Sequence, residues 1–457
     1  MRQAPRKPND AESKIEPAKN DNLIVQMREY ELITPLFGGG VEPGQCDDLT
    51  PIRGTEIRGH LRFWWRATRG GKPEFEGDLK KMKSAEDGLW GAASTERQPH
   101  PSQVKIAITV TRAGTDDHPY EVVDKVNKQG RAIPTPQPRL GSQTPPYVAF
   151  PLQPEREGAI TGMETRAVRA GVKFKLDISF PNTAKARADI EAALWAWETF
   201  GGIGARTRRG FGALFLKSLS ENGERAALAP TPTVGEARQF VIGGLNQHVV
   251  EGLWNSQLPH LSRNPLFFKI TTPVATPQLA WGKLIEKLRA FRQARGNGGR
   301  GRSKWPEPDE IRYLIDQSDP RHATPNSTVR KFPRGAFGLP IVFHFKDNDL
   351  RNKHDQNCDP ADTILKFSDY ERWASPLILR PLQCQGGQAV GLGMILLSGR
   401  PTGGFVLQSQ SAGSLLAAPE EVFIDLNQTE ADSIEPLRNA ATGVVRTAIL
   451  SSFLKTL

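Results

Sequence analysis

The chain has 457 residues, 38% hydrophobic and 24% charged, which is enough to bury more than one core. Lys and Arg exceed Asp and Glu by 60 to 50, and the net charge of +10 favours an anionic partner, nucleic acid ahead of a membrane surface. Cys46, Cys358 and Cys384 are odd in number and widely spaced, which argues against a disulfide framework and a Cys-x-x-Cys zinc site, and no apolar run reaches the roughly 18 residues of a membrane span.

Met1 to Asp21 mixes Pro, Lys, Arg, Asp and Asn without a hydrophobic segment and is expected to be a disordered tail, not a signal peptide, so a cytoplasmic location is expected. Leu23 to Thr34 alternates as a strand and stops at Pro35. Turn residues from Phe37 to Leu49 lead into a helix that starts near Gly54 or Thr55 and runs to Arg69, with Arg53 just ahead of it. At about 100° per residue, Ile57, Leu61, Trp64, Trp65 and Thr68 share one side of that helix, while Arg58, Arg62, Arg66 and Arg69 share the neighbouring side. A solvated face normally alternates Lys with Glu in i,i+4 pairs. This one has no carboxylate, and guanidinium forks match phosphate oxygens, so the stripe points to a polyanionic backbone. The two tryptophans fall on the apolar side and are expected to anchor the helix.

Leu89-Trp90-Gly91 marks a short apolar turn and Val104 to Thr111 a second strand. After the Pro-rich interval Pro134 to Pro146, Tyr147 to Leu152 is expected to be extended, and Val172 to Phe180 alternates as a strand. A helix over Ala188 to Phe200, with Ile190, Leu194 and Trp197 on one face, ends in the cluster Gly201 to Gly212. A helix C-cap and a tight turn into a strand account for Gly201 and Gly202 but leave Arg206, Arg208 and Arg209 without a role. Gly202, Gly204 and those arginines could present amides and guanidiniums to phosphates. The cluster follows a helix and precedes a strand, the reverse of a dinucleotide fingerprint, and it lacks the Gly-Lys-Ser/Thr of a P-loop.

Glu221 to Ala237 looks like a boundary. The expected organisation is a tail (1–21), a first domain (22–225), a linker (226–262) and a second domain (263–457). The second half holds a strand at Leu266 to Thr272, a helix at Gln278 to Arg295, and a basic loop from Gly296 to Ser303 that either contacts RNA or is a solvated linker. Strands at Ile341 to Phe345, Ser375 to Leu382 and Val390 to Leu397, and a last helix at Pro436 to Phe453, complete it. Thr272-Pro273 echoes Thr34-Pro35, and Ala336 to Pro340 echoes Leu89 to Gly91, as a duplicated strand-helix-strand unit would. His344, His354 and Cys358 fit no zinc spacing, and no cofactor or metal is expected.

Ile33-Thr34-Pro35-Leu36-Phe37, Ile57-Arg58-Gly59-x-Leu61-Arg62-Phe63-Trp64-Trp65-Arg66, Leu89-Trp90-Gly91 and the run from Gly202 to Gly212 together resemble the RAMP (repeat-associated mysterious protein) superfamily. Within it, the arginine-tryptophan run resembles most closely the first-numbered RAMP subunits of type III-B CRISPR (Cmr) effectors. The resemblance implies an α+β fold of two ferredoxin-like β-α-β-β-α-β domains with antiparallel sheets. It also implies a noncatalytic RNA-binding subunit of a prokaryotic antiviral complex, without membrane contact. Such a subunit would hold the 3′ part of a guide RNA and its complementary target RNA at one end of the assembly, beside the backbone-forming and the other capping RAMP subunits. Arg53, Arg58, Arg62, Arg66, Arg69, Gly202, Gly204, Arg206, Arg208 and Arg209 would then contact RNA backbone, with sheet or loop aromatics separating bases.

RAMP relatives also include endoribonucleases. His60 is the candidate general acid/base for guide-precursor cleavage, and Asp47 with Asp48 is the candidate pair for target cleavage. A structural His60 and a turn role for the two aspartates are the competing readings.

Overall fold

Alternation of apolar and polar residues sets the first strand. In the computed structural model, which describes residues 22–40, 44–47, 50–93, 100–126, 130–154, 166–296, 301–345, 358–399, 403–410, 413–418, 420–438 and 445–457, strand β1 (Leu23–Leu32) buries Ile24, Tyr30 and Leu32 on one face. It is followed by α1 (Gly54–Arg69), α2 (Leu79–Trp90), β2 (Lys105–Arg112), β3 (Thr115–Asp117), β4 (Tyr120–Val126), β5 (Ala132–Pro138), β6 (Val168–Ala170) and β7 (Lys173–Pro181). Next come α3 (Ala184–Phe200), β8 (Leu214–Glu221), β9 (Ala227–Leu228) and α4 (Ala237–His248). The main sheet has the order β2-β7-β1-β8-β9, every neighbour antiparallel. In chain order β1, α1, β2, β7, α3 and β8 make the β-α-β-β-α-β ferredoxin-like unit, with the first strand between the third and the fourth.

Helices α1 and α3 cover one face of this sheet, and the Thr183 hydroxyl caps α3 by accepting from the Ala186 amide. The aromatics of β1 and β7, Tyr30, Phe174 and Phe180, all point under the helices. The opposite face carries lysines matched by carboxylates, Lys175 with Glu29 at 2.9 Å and Lys173 with Glu31 at 3.1 Å. Base stacking on the β1 and β7 surface therefore has no ring to use. Strands β4 and β5 form a separate hairpin in which Pro134, Pro136 and Pro138 lie opposite Asp124, Val122 and Tyr120.

The second half runs β10 (Phe268–Ile270), α5 (Pro277–Arg292), α6 (Glu307–Ile315), β11 (Ile341–Phe343), β12 (Thr363–Phe367), β13 (Leu377–Gln383) and β14 (Ala389–Ile395). It ends with β15 (Phe405–Ser409), β16 (Leu415–Ala417), α7 (Gln428–Ser433) and α8 (Val445–Lys455). Strands β10-β14-β13 form an antiparallel sheet, so β10, α5, β13, β14 and α8 follow the first five elements of the same unit. A second sheet, β11-β12-β15-β16, is inserted around them. Strand β14 is buried along its whole length, β13 up to its last residue, and their sequences are nearly continuous in apolar residues. Ile378, Leu382, Val390, Leu392 and Met394 join the core of the first half, whereas Leu377 and Leu379 pack with Trp281, Leu284 and Phe453 of α5 and α8. On that helical face β14 carries Gly391 and Gly393, where a Cβ would lie 2.8 Å from Leu284 and 2.7 Å from Leu457.

Several expectations change. Leu89–Gly91 is the end of helix α2, capped by Gly91, and not an isolated turn. The Pro-rich interval contributes β5, and Tyr147 to Leu152 is a turn with a short 3₁₀ segment at Phe150–Leu152, not a strand. The interval 226–262, expected as a linker, contains β9 and α4, whose Val241 and Leu245 pack into the first core and whose His248 stacks on Trp195. Helices α6 and α7 and strands β12, β15 and β16 were not anticipated, and Pro436, expected to open the last helix, lies in a 3₁₀ segment at Glu435–Leu437. The expected tail, the stretch 297–300 of the basic loop, Asp48 and His354 lie outside the described residues. No helix among the described residues is long and apolar enough to cross a membrane.

Candidate nucleic-acid interface

The apolar side of α1 packs as its periodicity requires, with Ile57, Leu61, Trp64, Trp65 and Thr68 all buried. The arginine side does not face open solvent. Arg58 donates to Ser102 Oγ at 2.6 Å and to the Val104 carbonyl at 2.9 Å. Arg62 and Arg66 both donate to Glu86 Oε1, at 2.7 and 2.6 Å, and Arg62 also reaches Asp87 and the Gly91 carbonyl. Arg69 donates to the Ala188 carbonyl at 2.6 Å beside Asp189. The stripe expected to meet phosphates instead clamps α2, the entry to β2 and the start of α3. Its missing carboxylates sit on α2, some twenty residues downstream of the arginines they neutralise.

The glycine cluster is likewise committed. The Trp197 indole donates to the Gly202 carbonyl at 3.0 Å, and the Gly204 amide donates to Glu56 Oε1 at 2.7 Å. Gly204 has φ +80°, and a Cβ there would stand 2.6 Å from the Phe37 carbonyl, so only glycine fits. Arg208 donates to the Ser375 carbonyl and Arg209 to the Leu377 carbonyl at 2.8 Å, while the Trp281 indole donates back to the Arg209 carbonyl at 2.7 Å. Burial without a carboxylate pushes the Arg208 guanidinium down to about 10 and that of Arg209 to about 9. These two arginines join the glycine loop to the edge of β13.

The remaining cations gather at the rim of this loop. Arg53 is exposed and donates to the Gly39 carbonyl. Arg206 donates to the Val148 carbonyl at 3.2 Å and lies over the rings of Phe150 at 4.7 Å and Phe37 at 5.8 Å. Phe150 is 58% exposed, and exposed Arg372 is close enough to depress the Arg206 guanidinium further, after the larger effect of burial. Arg53, Arg206, Arg372 and Phe150 thus combine positive charge with an accessible ring, the pairing that single-stranded nucleic acid uses. Phe150 and Arg372 were missed in the sequence because one lies in a proline-flanked turn and the other in a loop some 166 residues from Arg206 in the chain.

His60 lies one turn beyond Glu56, with its Nε2 3.6 Å from Glu56 Oε1. That Nε2 and Glu56 Oε2 are buried atoms without a hydrogen-bond partner. Asp47 Oδ1 accepts from the Thr50 amide at 2.9 Å, as a turn residue does. Among the described residues no group of three or more His, Cys, Asp or Glu is placed to hold a metal ion.

Residues 29–215, which contain the arginine helix, β2, β7, α3 and the glycine loop and reach into β1 and β8 at the two ends, match the family model of the RAMP superfamily. The chain is similar to CRISPR system Cmr subunit Cmr1-2 of Pyrococcus furiosus, 27% identical over 199 residues that make up 42% of this chain and 95% of that protein. Among solved structures it resembles apo Cmr1 from Pyrococcus furiosus, with TM-score 0.45 and 16% identity over 82% of this chain and 88% of that one. It also resembles a chain of the type III-B Cmr-beta assembly bound to cognate target RNA, with TM-score 0.46 and 14% identity over 82% and 95% of the two chains. The matched segment thus supplies both the arginine clamp and the glycine loop, and Arg372 is added from beyond it.

Proposed function

We propose that this protein is a noncatalytic RNA-binding subunit of a type III-B CRISPR effector. It would hold the 3′ part of the guide RNA and the paired target at one end of the assembly, in the cytoplasm of a prokaryote. The observation that carries this reading is the match of 199 residues to 95% of a Cmr subunit. Base pairing supplies sequence choice, and the protein contributes backbone contacts and a ring. The face we assign to RNA is the rim formed by Arg53, Arg206, Arg372 and Phe150, together with the glycine loop behind it. The clamped arginines Arg58, Arg62, Arg66 and Arg69 support that face from within, and the partners are the backbone-forming and the other capping RAMP subunits. Affinity purification of the tagged chain from its own cell tests the assignment. Recovery of guide RNA together with other RAMP subunits is the expected result, and a chain that purifies free of both overturns it.

One observation favours a second reading, an endoribonuclease. The unbonded His60 Nε2 lies beside Glu56, which itself binds the glycine loop. Cleavage of guide-precursor RNA by the purified protein, abolished in His60→Ala, would establish it, and cleavage of target RNA lost in Asp47→Ala would point to the aspartates.

A further inference from the structure

The second half contains a polar cavity of about 600 Å³, well away from the glycine loop in sequence, walled by the end of α5, helix α6, strand β11 and Asp359. Four guanidiniums line it, those of Arg295, Arg302, Arg312 and Arg334, against two lining carboxylates, Asp309 and Asp359. The carboxylates fix the arginines in place. Arg312 binds Asp359 through Nε at 2.8 Å and through its Nη2 at 3.0 Å, and Arg302 binds Asp309 at 2.6 Å, which also accepts from Arg312 at 3.0 Å. His322 Nδ1 lies 2.9 Å from Asp359 Oδ2. Asp359 is held below the usual carboxylate range, because Arg312 and His322 outweigh the opposing effect of its burial. Arg312 lies 5.3 Å above the ring of Phe345 and Arg334 5.2 Å above that of Phe343, and both rings also line the cavity. The exposed Arg295 has no side-chain partner among the described residues.

Arg302, Arg312 and Arg334 are part-buried and held by carboxylates, Arg334 by Glu307 at 3.1 Å, while Arg295 stays exposed beside them, and this set of cations layered on aromatic rings has more than a structural use. Guanidinium forks fit phosphate oxygens, and guanidinium planes and rings accept a stacked base. The volume lies in the range of small-ligand pockets, about 300–1,000 Å³, and a mononucleotide fits it while a duplex does not. We propose that this cavity binds one nucleotide unit, its phosphate against Arg295 and Arg302 and its base against the layered Arg312 and Arg334. The unit is a 5′-nucleoside monophosphate, either free or at the phosphorylated end of an RNA strand.

Calorimetric titration of the full chain tests this with AMP, UMP, adenosine and inorganic phosphate, and with an RNA of about ten nucleotides with and without a terminal phosphate. The expected result is saturable binding of AMP or UMP, about tenfold or more tighter than adenosine or phosphate alone. Two variants at exposed lining positions, Arg295→Glu and Val342→Trp, should each weaken it about tenfold while the thermal midpoint stays unchanged. Competition by the phosphorylated RNA and not by the unphosphorylated one assigns the site to strand ends, and binding of mononucleotides alone assigns it to the free nucleotide. Absence of saturable nucleotide binding at millimolar concentration, phosphate binding as tight as AMP, or binding unaffected by both variants would overturn the proposal. None of these results depends on whether the chain assembles into an effector.

Discussion

The two sheets share a β-α-β-β frame and use their uncovered faces in opposite ways. The first leaves one face to solvent and neutralises it with ion pairs such as Lys175–Glu29. The second gives the corresponding face to the first half of the chain, where Arg380 of β13 is completely buried. Arg380 donates to the carbonyls of Glu198, Gly201 and Leu214, each at 2.8 Å, and burial pushes its guanidinium down to about 9. Those carbonyls lie at the end of α3, the start of the glycine loop and the start of β8. Arginines that look alike in sequence thus fall into two populations, those that join parts of the protein and those left at its rim.

Removing a joining arginine should cost the most. Arg380→Met removes the buried donor that three carbonyls share and is expected to lower unfolding free energy by about 3–5 kcal/mol in denaturant titrations. Next, Arg58→Ala with Arg62→Ala should lower stability by about 2–3 kcal/mol, through the lost clamp on α2, while RNA affinity in filter binding stays within about twofold. A large loss of RNA affinity at unchanged stability would return these residues to the rim population. Rim residues should behave in the reverse way. Arg53→Ala with Arg372→Ala should leave stability unchanged, weaken single-stranded RNA binding about tenfold, and reduce the salt-dependence slope by about 1.4, since each phosphate contact on a single strand contributes about 0.7. The smallest effect concerns a carboxyl. Burial raises Glu310 to about 7 against the opposing pull of Arg330, so the folded state favours its protonated form. The resulting stabilisation is complete below the unfolded value near 4.5 and is lost as pH rises through about 7. Glu310→Gln should therefore be more stable than the wild type at pH 8, by on the order of 1 kcal/mol, and no more stable at pH 4.

Periodicity made the first unit legible. Strands β1, β2 and β7 and helices α1 and α3 were placed within a few residues because each has one buried face and one polar face. Helix α2 escaped notice because only Met82, Glu86 and Trp90 of its residues are buried, and one of those is a carboxylate. Strands β12, β15 and β16 are short and belong to an inserted sheet whose partners are far apart in the chain. The arginine helix shows the sharper limit. Angular spacing identifies which residues share a face, but not what covers that face, and here Glu86 and Asp87 arrive from the next helix.

The three prolines of β5 bear on assembly. The ladder of this hairpin alternates between pairs that exchange hydrogen bonds and pairs that do not, and Pro134, Pro136 and Pro138 occupy every second position. An amide at those positions would point away from β4, so the outer edge of β5 has lost the donors that an added strand needs. Whatever meets the hairpin on that side must be recognised through side chains, and copies of this protein cannot zip together there into a continuous sheet.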